Sequence, residues 1–336
     1  MRIAYLADPG TGNGFYRGIA PMMVLGLRGH RMTRLSTDER RPPLGQMTGI
    51  DVLHLHRYCD DRALALARAA KAGGAAVVWD NDDDMGSVPK DSNAYRKFGG
   101  IQWQRRLTAM RRLFPLVDLV TSTNETLAGR LREAGAQRTD TVENYVPQQF
   151  LVERRRPQSG VTIGWIAGLE HQLDVERMPL REALSRLLDE RPEVRVRTFG
   201  LKLGLNHEHS TNVDVVPLLE LTQEATSFDI GIAPLSDIPL NRARSNIKLK
   251  EYAAAGLPWL ASPIGPYAGM GEQQGGRLVP DDGWYEALVR LVDKERERRK
   301  LAKRARKWVE GETLERNAQR WEQLLTDAVE RSRAAR

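Results

Sequence analysis

Two segments of this chain have the pattern of a buried strand that ends in a glycine loop and is followed by a helix. Residues 2–7 form the first strand, and the loop after it contains Gly12 and Gly14; residues 161–168 form the second strand, which itself ends in glycine. This order opens a parallel α/β domain. A chain of 336 residues has room for two such domains. The sequence therefore predicts an α/β protein with two doubly wound, Rossmann-like domains.

The alternation of strands and helices also predicts the domain boundaries. We expect a first domain over residues 1–147, a linker over 148–160 and a second domain over 161–311. The linker is predicted from its arginine- and proline-containing polar composition. We expect the C-terminal helices to brace the second domain, with the last helix, residues 312–336, as a candidate to cross back to the first. Two domains joined in this way enclose a cleft, where ligands bind.

The formal charge of +7 does not by itself indicate a nucleic-acid partner. Much of the basic density lies in residues 294–307, where interleaved acidic side chains are typical of a solvated helix face. No nucleic-acid module accompanies it, so we expect no such partner, while peripheral contact with a membrane surface stays open. Cys59 is the only cysteine, and no stretch approaches the roughly 20 apolar residues of a membrane span. We therefore predict a cytoplasmic protein.

The first glycine loop has the spacing G-x-G-x-G, which differs from the dinucleotide fingerprint G-x-G-x-x-G and argues against a nicotinamide site. Such a loop either brings backbone amides close to a phosphate or only turns the chain from strand to helix. Arg17 follows this loop, and its positive charge favours the interpretation that the loop binds an anion such as a phosphate. Gly12, Gly14 and Arg17 are therefore candidate anion ligands.

Two candidate catalytic groups follow predicted strands, at the sheet edge where ligands bind. Asp82 belongs to an acidic cluster, residues 80–84, and is a candidate for acceptor binding or proton transfer. A divalent cation and a plain solvated turn are the alternatives, and because nothing else completes a ligand set we predict no metal. His171 can bind a phosphate or act near the bond that breaks; the alternative is a loop histidine paired with Asp174.

Residues 245–258 form a predicted helix between two strands of the second domain. Ser245 or Asn246 can cap its start, and Lys248 shares a face with Glu251. The start of this helix can bind a phosphate, because it offers free amides, the positive end of the helix dipole and a lysine. The glutamate can accept hydrogen bonds from sugar hydroxyls. An ordinary surface Lys/Glu pair is the alternative.

The order of these motifs resembles the GT-B-fold glycosyltransferases of the family 4 type, over nearly the whole chain. The matching segments are residues 12–14, 27–30, 51–56, 78–83, 143–147, 163–165, 229–235 and 245–258. The resemblance implies a nucleotide-diphosphate sugar held mainly by the second domain and an acceptor held mainly by the first. It implies transfer of the sugar to a small-molecule, glycan or lipid acceptor, without a metal or other cofactor and with retention of the anomeric configuration.

The resemblance also implies roles for the candidate residues. Glu251 matches the second glutamate of the family's E-x7-E motif, which holds the donor ribose. The donor-binding candidates are Gly12, Gly14, Arg17, His171, Ser245, Asn246, Lys248 and Glu251, and the catalytic candidates are Asp82 and His171.

Two positions depart from the family pattern. The first glutamate of E-x7-E falls at Ala243, and Asp80 or Asn81 replaces the histidine that some members carry after the corresponding strand. The configuration of the product is therefore left open. The alternative function is a GT-B-like protein that binds a nucleotide or a glycan without turnover.

Overall fold

The first half of the molecule is built on a six-stranded parallel sheet. The computed structural model describes residues 1–37, 41–153, 160–214 and 216–335. The strands are β1 (Arg2–Leu6), β2 (Arg31–Arg34), β3 (Val52–His56), β4 (Ala76–Asn81), β5 (Leu119–Ser122) and β6 (Thr139–Thr141). Their order in the sheet is β2-β1-β3-β4-β5-β6. Strands β3 and β4 are buried along their whole length, as expected for the centre of a parallel sheet covered on both faces.

Helices cover both faces of this sheet. They are α1 (Gly12–Gly14), which continues through a π-helical turn (Phe15–Ile19) into α2 (Ala20–Leu27), then α3 (Asp61–Ala72), α4 (Tyr95–Phe98), α5 (Gly100–Leu113) and α6 (Glu125–Glu133). Side-chain caps fix where two of them begin. Asp60 accepts from the Ala63 amide and Asn124 from the Leu127 amide, each at 2.9 Å.

The second half repeats this design. Its strands are β7 (Val161–Ala167), β8 (Val194–Gly200), β9 (Ser210–Val213), β10 (Ile230–Ala233), β11 (Trp259–Ala261) and β12 (Gly276–Leu278), in the order β12-β11-β10-β7-β8-β9. Its helices are α7 (Gln172–Arg177), α8 (Leu180–Glu190), α9 (Leu221–Ala225), α10 (Pro239–Arg242), α11 (Ile247–Ala254), α12 (Trp284–Asp293) and α13 (Glu295–Val309). The predicted pair of doubly wound α/β domains is confirmed.

Each sheet reverses its direction of growth next to its first strand. In the first half the chain goes from β1 outward to β2 and then returns to β3 on the other side; in the second half β8 and β10 flank β7. A crevice opens at the carboxyl ends of the strands at such a switch point, and ligands bind there. The loop that contains Gly12 follows β1 at the first crevice, and the loop that contains His171 follows β7 at the second.

The last helix, α14 (Leu314–Ala334), packs on the sheet of the first half. Its Trp321 and Leu325 lie in one apolar cluster with Ile3, Val52 and Val78. Helix α12 packs on α8, and α13 packs on α11, so those two helices brace the second half. Within the predicted linker, residues 148–150 form a 3-10 turn and residues 154–159 lie outside the described part of the chain.

No helix in the described ranges combines the length and apolar character needed to cross a bilayer.

We predict that Trp321→Ala destabilises the protein by about 3–5 kcal/mol, because it removes a fully buried aromatic side chain from the cluster on the first sheet. Chemical denaturation measures the free energy of unfolding. Glu330→Ala, an exposed position on the same helix, is the control and should stay within about 0.5 kcal/mol of wild type. Equal effects of the two substitutions would contradict the packing role of α14.

Candidate functional site

A cavity of about 400 Å³ lies between the two halves, at the point where the two switch-point crevices meet. Both halves contribute side chains. The lining includes Thr11, Gly12, Asn13, Tyr16, Arg57, Asp82, Asp83 and Asn144 from the first half and Glu170, His171, Arg244, Ser245, Lys248, Glu251 and Tyr267 from the second. Six predicted residues thus lie at one cavity. Gly14, Arg17 and Asn246 do not line it.

The structure separates the roles of the two glycines in the first loop. Gly12 is exposed at the cavity, and a Cβ built there would meet no atom within 4 Å. Gly14 is buried, and a Cβ there would lie 1.9 Å from the carbonyl oxygen of Asp8. The glycine at position 14 is therefore required by backbone packing. Of the two glycines only Gly12, in the first turn of a helix capped by Thr11, lines the cavity.

The structure corrects the prediction that Arg17 binds an anion in the cleft. Its side chain is 0% exposed, and its guanidinium donates to both carboxylate oxygens of Asp80, at 2.6 and 3.0 Å. The remaining nitrogen donates to the Val142 carbonyl at 2.6 Å and to Asn144 Oδ1 at 3.0 Å. Because burial requires a charge to be paired in this way, Arg17 holds the first half together and has no free donor directed at the cavity.

Asp82 is a buried carboxylate that stays ionised. It accepts from His56 Nε2 at 3.1 Å and from Arg57 Nε at 2.6 Å. Burial alone would raise the pKa of Asp82, but the adjacent Arg57 and His56 hold it well below its usual range. A carboxylate with so low a pKa is a weak proton acceptor, so Asp82 is better suited to accepting hydrogen bonds than to acting as a general base.

Arg57 was missed by the sequence reasoning although it directly follows β3 at the first switch point. Its φ of +65° lies in the left-handed region, which is uncommon for a residue other than glycine. This conformation directs the guanidinium to Asp82 and also to Asp83, which in turn accepts from Asn13 Nδ2 at 3.1 Å. The position after the strand end was the signal that could have identified it.

His171 forms a buried dyad with Asp174. The ring Nδ1 lies 2.7 Å from Asp174 Oδ2, while Nε2 lies 3.9 Å from Glu170 Oε1 at the cavity. Asp174 also accepts from the amide and hydroxyl of Ser236 and from Asn241 Nδ2, at 2.7 to 2.8 Å. Burial alone would raise the pKa of Asp174, but its hydrogen bond with His171 and those with Ser236 keep it below the usual value. The pairing with Asp174, which was the alternative for His171, is present, and His171 also lines the cavity.

Helix α11 brings Lys248 and Glu251 to the cavity. The Lys248 ammonium lies 3.3 Å from Glu251 Oε2, and Tyr16 of the first half donates its hydroxyl hydrogen to Glu251 Oε1 at 2.8 Å. Glu251 is 1% exposed, so the alternative of an ordinary surface pair is excluded. At the helix start, the Ser245 hydroxyl accepts from Asn144 Nδ2 at 3.1 Å.

Asn246 is the N-cap residue of α11 but does not cap it with its side chain. Its amide donates instead to Glu143 Oε2 at 3.3 Å, on the surface of the first half. The prediction of a side-chain cap from Asn246 is therefore wrong, and the first amides of α11 are left for another partner.

Arg244 is the second residue that the sequence reasoning missed. It donates from Nε to Asn241 Oδ1 at 2.8 Å and from Nη2 to the Glu170 carbonyl at 3.4 Å, both of which are neutral oxygens. Burial alone would raise the pKa of Glu170, but His171, Arg244 and, more weakly, Lys248 hold it below its usual value. Arg244 and Lys248 therefore lie on the second-half wall beside the start of α11, together with the carboxylates of Glu170 and Glu251. Of the two cations, Arg244 contacts only neutral oxygens and is the one suited to an anionic ligand.

Ala243 is fully buried and packs in the main apolar cluster of the first half. Its carbonyl accepts from Asn124 Nδ2 at 3.0 Å, and the next carbonyl accepts from the same amide at 2.9 Å. The position that the E-x7-E motif assigns to a glutamate is therefore used here to join the two halves.

Solved structures of glycosyltransferases share this architecture. Sucrose-phosphate synthase from Thermosynechococcus elongatus gives a TM-score of 0.71 over 97% of this chain and 99% of its own, at 14% identity. HepE of Anabaena in complex with UDP-glucose gives a TM-score of 0.68 at 14% identity, and the match covers 97% of this chain and 100% of HepE. A glycosyltransferase from Rickettsia africae gives a TM-score of 0.64 at 13% identity, and the match covers 98% of each chain. The chain has the GT-B fold.

The fold predicted from the motif order is thereby confirmed. No known family model matches the sequence, and no curated protein matches it. At identities this low, the similarity shows the GT-B architecture alone.

We predict that Asp82→Asn makes stability less dependent on pH. The pKa of Asp82 is lower in the folded than in the unfolded chain, so its contribution is present above about pH 4 and is lost as the pH falls below that value. Wild type should lose up to about 1.4 kcal/mol per pH unit more than the variant between about pH 4 and pH 3. Urea denaturation at several pH values measures this difference. The control is Asp189→Asn, which makes the same substitution at an exposed position on α8.

We predict opposite outcomes for the two glycines of the first loop. Gly14→Ala should cost about 1–3 kcal/mol or more, since its Cβ meets a backbone oxygen that cannot move aside. Gly12→Ala should stay within about 1 kcal/mol of wild type. Thermal unfolding of the two variants tests this, and equal losses would show that the loop is packed differently.

Proposed function

We propose that this protein transfers a sugar from a nucleotide-diphosphate sugar to a hydroxyl group of an acceptor, with the donor bound in the GT-B cleft. The observation that carries the proposal is the convergence of Arg244, Lys248 and the starts of α1 and α11 on one cavity between the halves. A diphosphate is the ligand whose charge and size match this set of donors. HepE was solved with UDP-glucose, so a uridine diphosphate sugar is the donor we would test first.

Glu251 is proposed to hold the donor ribose. Its two carboxylate oxygens are already oriented by Tyr16 and Lys248, and a carboxylate has lone pairs left to accept from two adjacent hydroxyls. Fixing the carboxylate before the ligand arrives lowers the entropy lost on binding.

In the proposed reaction, the bond between the anomeric carbon and the phosphate oxygen breaks, and its electron pair stays on the diphosphate. Arg244, Lys248, His171 and the helix-start amides stabilise the charge that develops there. The acceptor oxygen forms the new bond to the anomeric carbon and loses its proton. No metal is required for this stabilisation in our proposal.

We propose that the leaving phosphate oxygen takes that proton, which requires attack on the same face and therefore retention of configuration. The low pKa of Asp82 supports this choice, because it makes the carboxylate nearest the acceptor side a poor base. Asp82 would instead accept a hydrogen bond from another hydroxyl of the acceptor. We retain the prediction that the reaction takes place in the cytoplasm.

One observation favours the alternative of a binding protein without turnover. Ala243 packs in the core of the first half, and so the cleft lacks the first carboxylate of E-x7-E. Release of UDP from UDP-glucose, with or without an added acceptor, would exclude this alternative.

We predict that Arg244→Ala weakens UDP binding about 10- to 100-fold, the loss expected when one charge-assisted hydrogen bond of about 1.5–3 kcal/mol is removed. Isothermal titration calorimetry measures the affinity, and UDP release from UDP-glucose should fall in parallel. The matched control is Arg242→Ala, two residues away, whose guanidinium is 58% exposed and pairs with Asp237. If both variants bind UDP as wild type does, the assigned donor site is wrong.

A further inference from the structure

A second cavity, of about 380 Å³, lies over strands β7, β8 and β9 of the second half. We call it the β8 cavity. Its lining includes Thr162 of β7, Arg195 and Arg197 of β8, Thr211 of β9 and Ser227 of the turn before β10. None of the described residues that line it also lines the cleft. The β8 cavity is therefore separate from the donor site proposed above.

Two arginines of β8 face this cavity. The valines of the strand are buried, whereas Arg195 and Arg197 alternate with them, are partly exposed and line the cavity. In the sheet, Arg195 is paired with Thr162 and Arg197 with Thr211. Residues i and i+2 of a strand point to the same face and lie about 7 Å apart, so both guanidinium groups can reach one ligand. Two threonine hydroxyls flank them.

Arg197 is held in place by neutral contacts. Its Nη1 donates to Ser227 Oγ at 3.1 Å, and its Cζ lies 5.2 Å from the centre of the Phe199 ring. The Ser227 hydroxyl donates its own hydrogen to the Glu224 carbonyl at 2.7 Å, so it is an acceptor for Arg197. No carboxylate of the described residues forms an ion pair with Arg197. Its charge is oriented but not balanced, and an anionic ligand would balance it.

Helix cover on this face of the sheet ends at Phe199. Helix α9 packs with Phe199 and Phe228 in one apolar cluster. Towards the amino end of β8, the same face continues with Arg197 and Arg195. Parallel strands that helices cover on both faces are normally apolar on both. The arginines therefore occupy positions that apolar residues would fill under a helix, and the space above them is the β8 cavity.

We propose that the β8 cavity binds a small phosphate monoester, whose phosphate oxygens accept hydrogen bonds from Arg195 and Arg197. The planar guanidinium group matches the oxygens of a phosphate, and two such groups balance its charge. The cavity is larger than a phosphate alone, so it also has room for an organic group of a few carbons. This binding does not depend on the proposed glycosyl transfer.

Glu208 gives the cavity a contact for the organic group. It is the one acidic residue among the described residues that line the cavity, and it is exposed. A carboxylate repels the phosphate but accepts a hydrogen bond from a hydroxyl group. The organic group of the ester is therefore expected to carry a hydroxyl and to lie on the side of Glu208.

The probe is glycerol 3-phosphate, titrated into the full chain and followed by the backbone amide signals in NMR. The signals of β8 and β9 should shift, including those of Arg197 and Thr211, and saturating UDP should not reverse the shifts. Glycerol, which lacks the phosphate, should leave the signals unchanged. The absence of shifts in β8 and β9, or displacement by UDP, would overturn the proposal. If UDP does not bind, the glycosyl transfer fails but the result with glycerol 3-phosphate still decides this proposal.

Two pairs of substitutions keep the change in charge equal inside and outside the cavity. Arg197→Gln should weaken glycerol 3-phosphate binding at least tenfold, whereas Arg181→Gln, at an exposed position on α8, should leave it unchanged. Thr211→Glu places a carboxylate beside Arg197 and should also weaken binding at least tenfold, with the exposed Thr108→Glu on α5 as its control.

Thermal unfolding without the probe reports whether each variant has folded. Because Thr211 is exposed, Thr211→Glu decides the question if Arg197→Gln does not fold. Equal affinities in a cavity variant and its control would show that the arginines of β8 do not bind the phosphate.

Inorganic phosphate distinguishes the monoester from the bare ion. It should bind at least fivefold more weakly than glycerol 3-phosphate, since it has no hydroxyl-bearing organic group to contact Glu208. Glu208→Ala should remove this difference. Binding of inorganic phosphate as tight as that of glycerol 3-phosphate in wild type would contradict the monoester assignment.

Discussion

One buried ammonium group holds the two halves in register. Lys250 on α11 is 0% exposed, and its Nζ lies 2.8 Å from Glu143 and 2.7 Å from Glu312. These glutamates lie in the two segments, here called passages, in which the chain crosses from one half to the other. A parallel β-bridge between Val146 and Thr313 joins the two passages. A buried charge costs free energy unless it is paired in this way. Helix α11, which carries the cleft's lysine and glutamate, is therefore fixed to both passages at once.

The sequence predicts those parts of the molecule whose signals are local. Strand ends and helix starts placed Gly12, His171 and Lys248 at the cleft, because in a parallel sheet such positions share one edge. Arg17 could not be assigned from the sequence, since its partner Asp80 is 63 residues away and only the fold brings them together. Arg244 is the opposite case, because it lines the cleft and the sequence did not predict this. In a sequence, a surface arginine cannot be distinguished from a cleft arginine until the oxygens around it are known.

The cleft also shows how a departure from a motif is accommodated. The alanine at the first E-x7-E position strengthens the contact between the halves, and the remaining carboxylate, Glu251, is oriented from the opposite half by Tyr16. Because that hydrogen bond joins the two halves, the angle between them and the orientation of Glu251 depend on each other. Ligand affinity in this cleft is thereby linked to the relative position of the sheets.

The placement of α14 has a consequence for how the protein is made. The ribosome synthesises the first sheet before the second, yet an apolar face of the first sheet is covered by Trp321 and its neighbours, which follow the whole second half in the sequence. Domains of nascent chains usually fold in order as they leave the ribosome. Here the first sheet lacks part of its apolar cover until α14, which follows every strand of the second half in the sequence, has been synthesised.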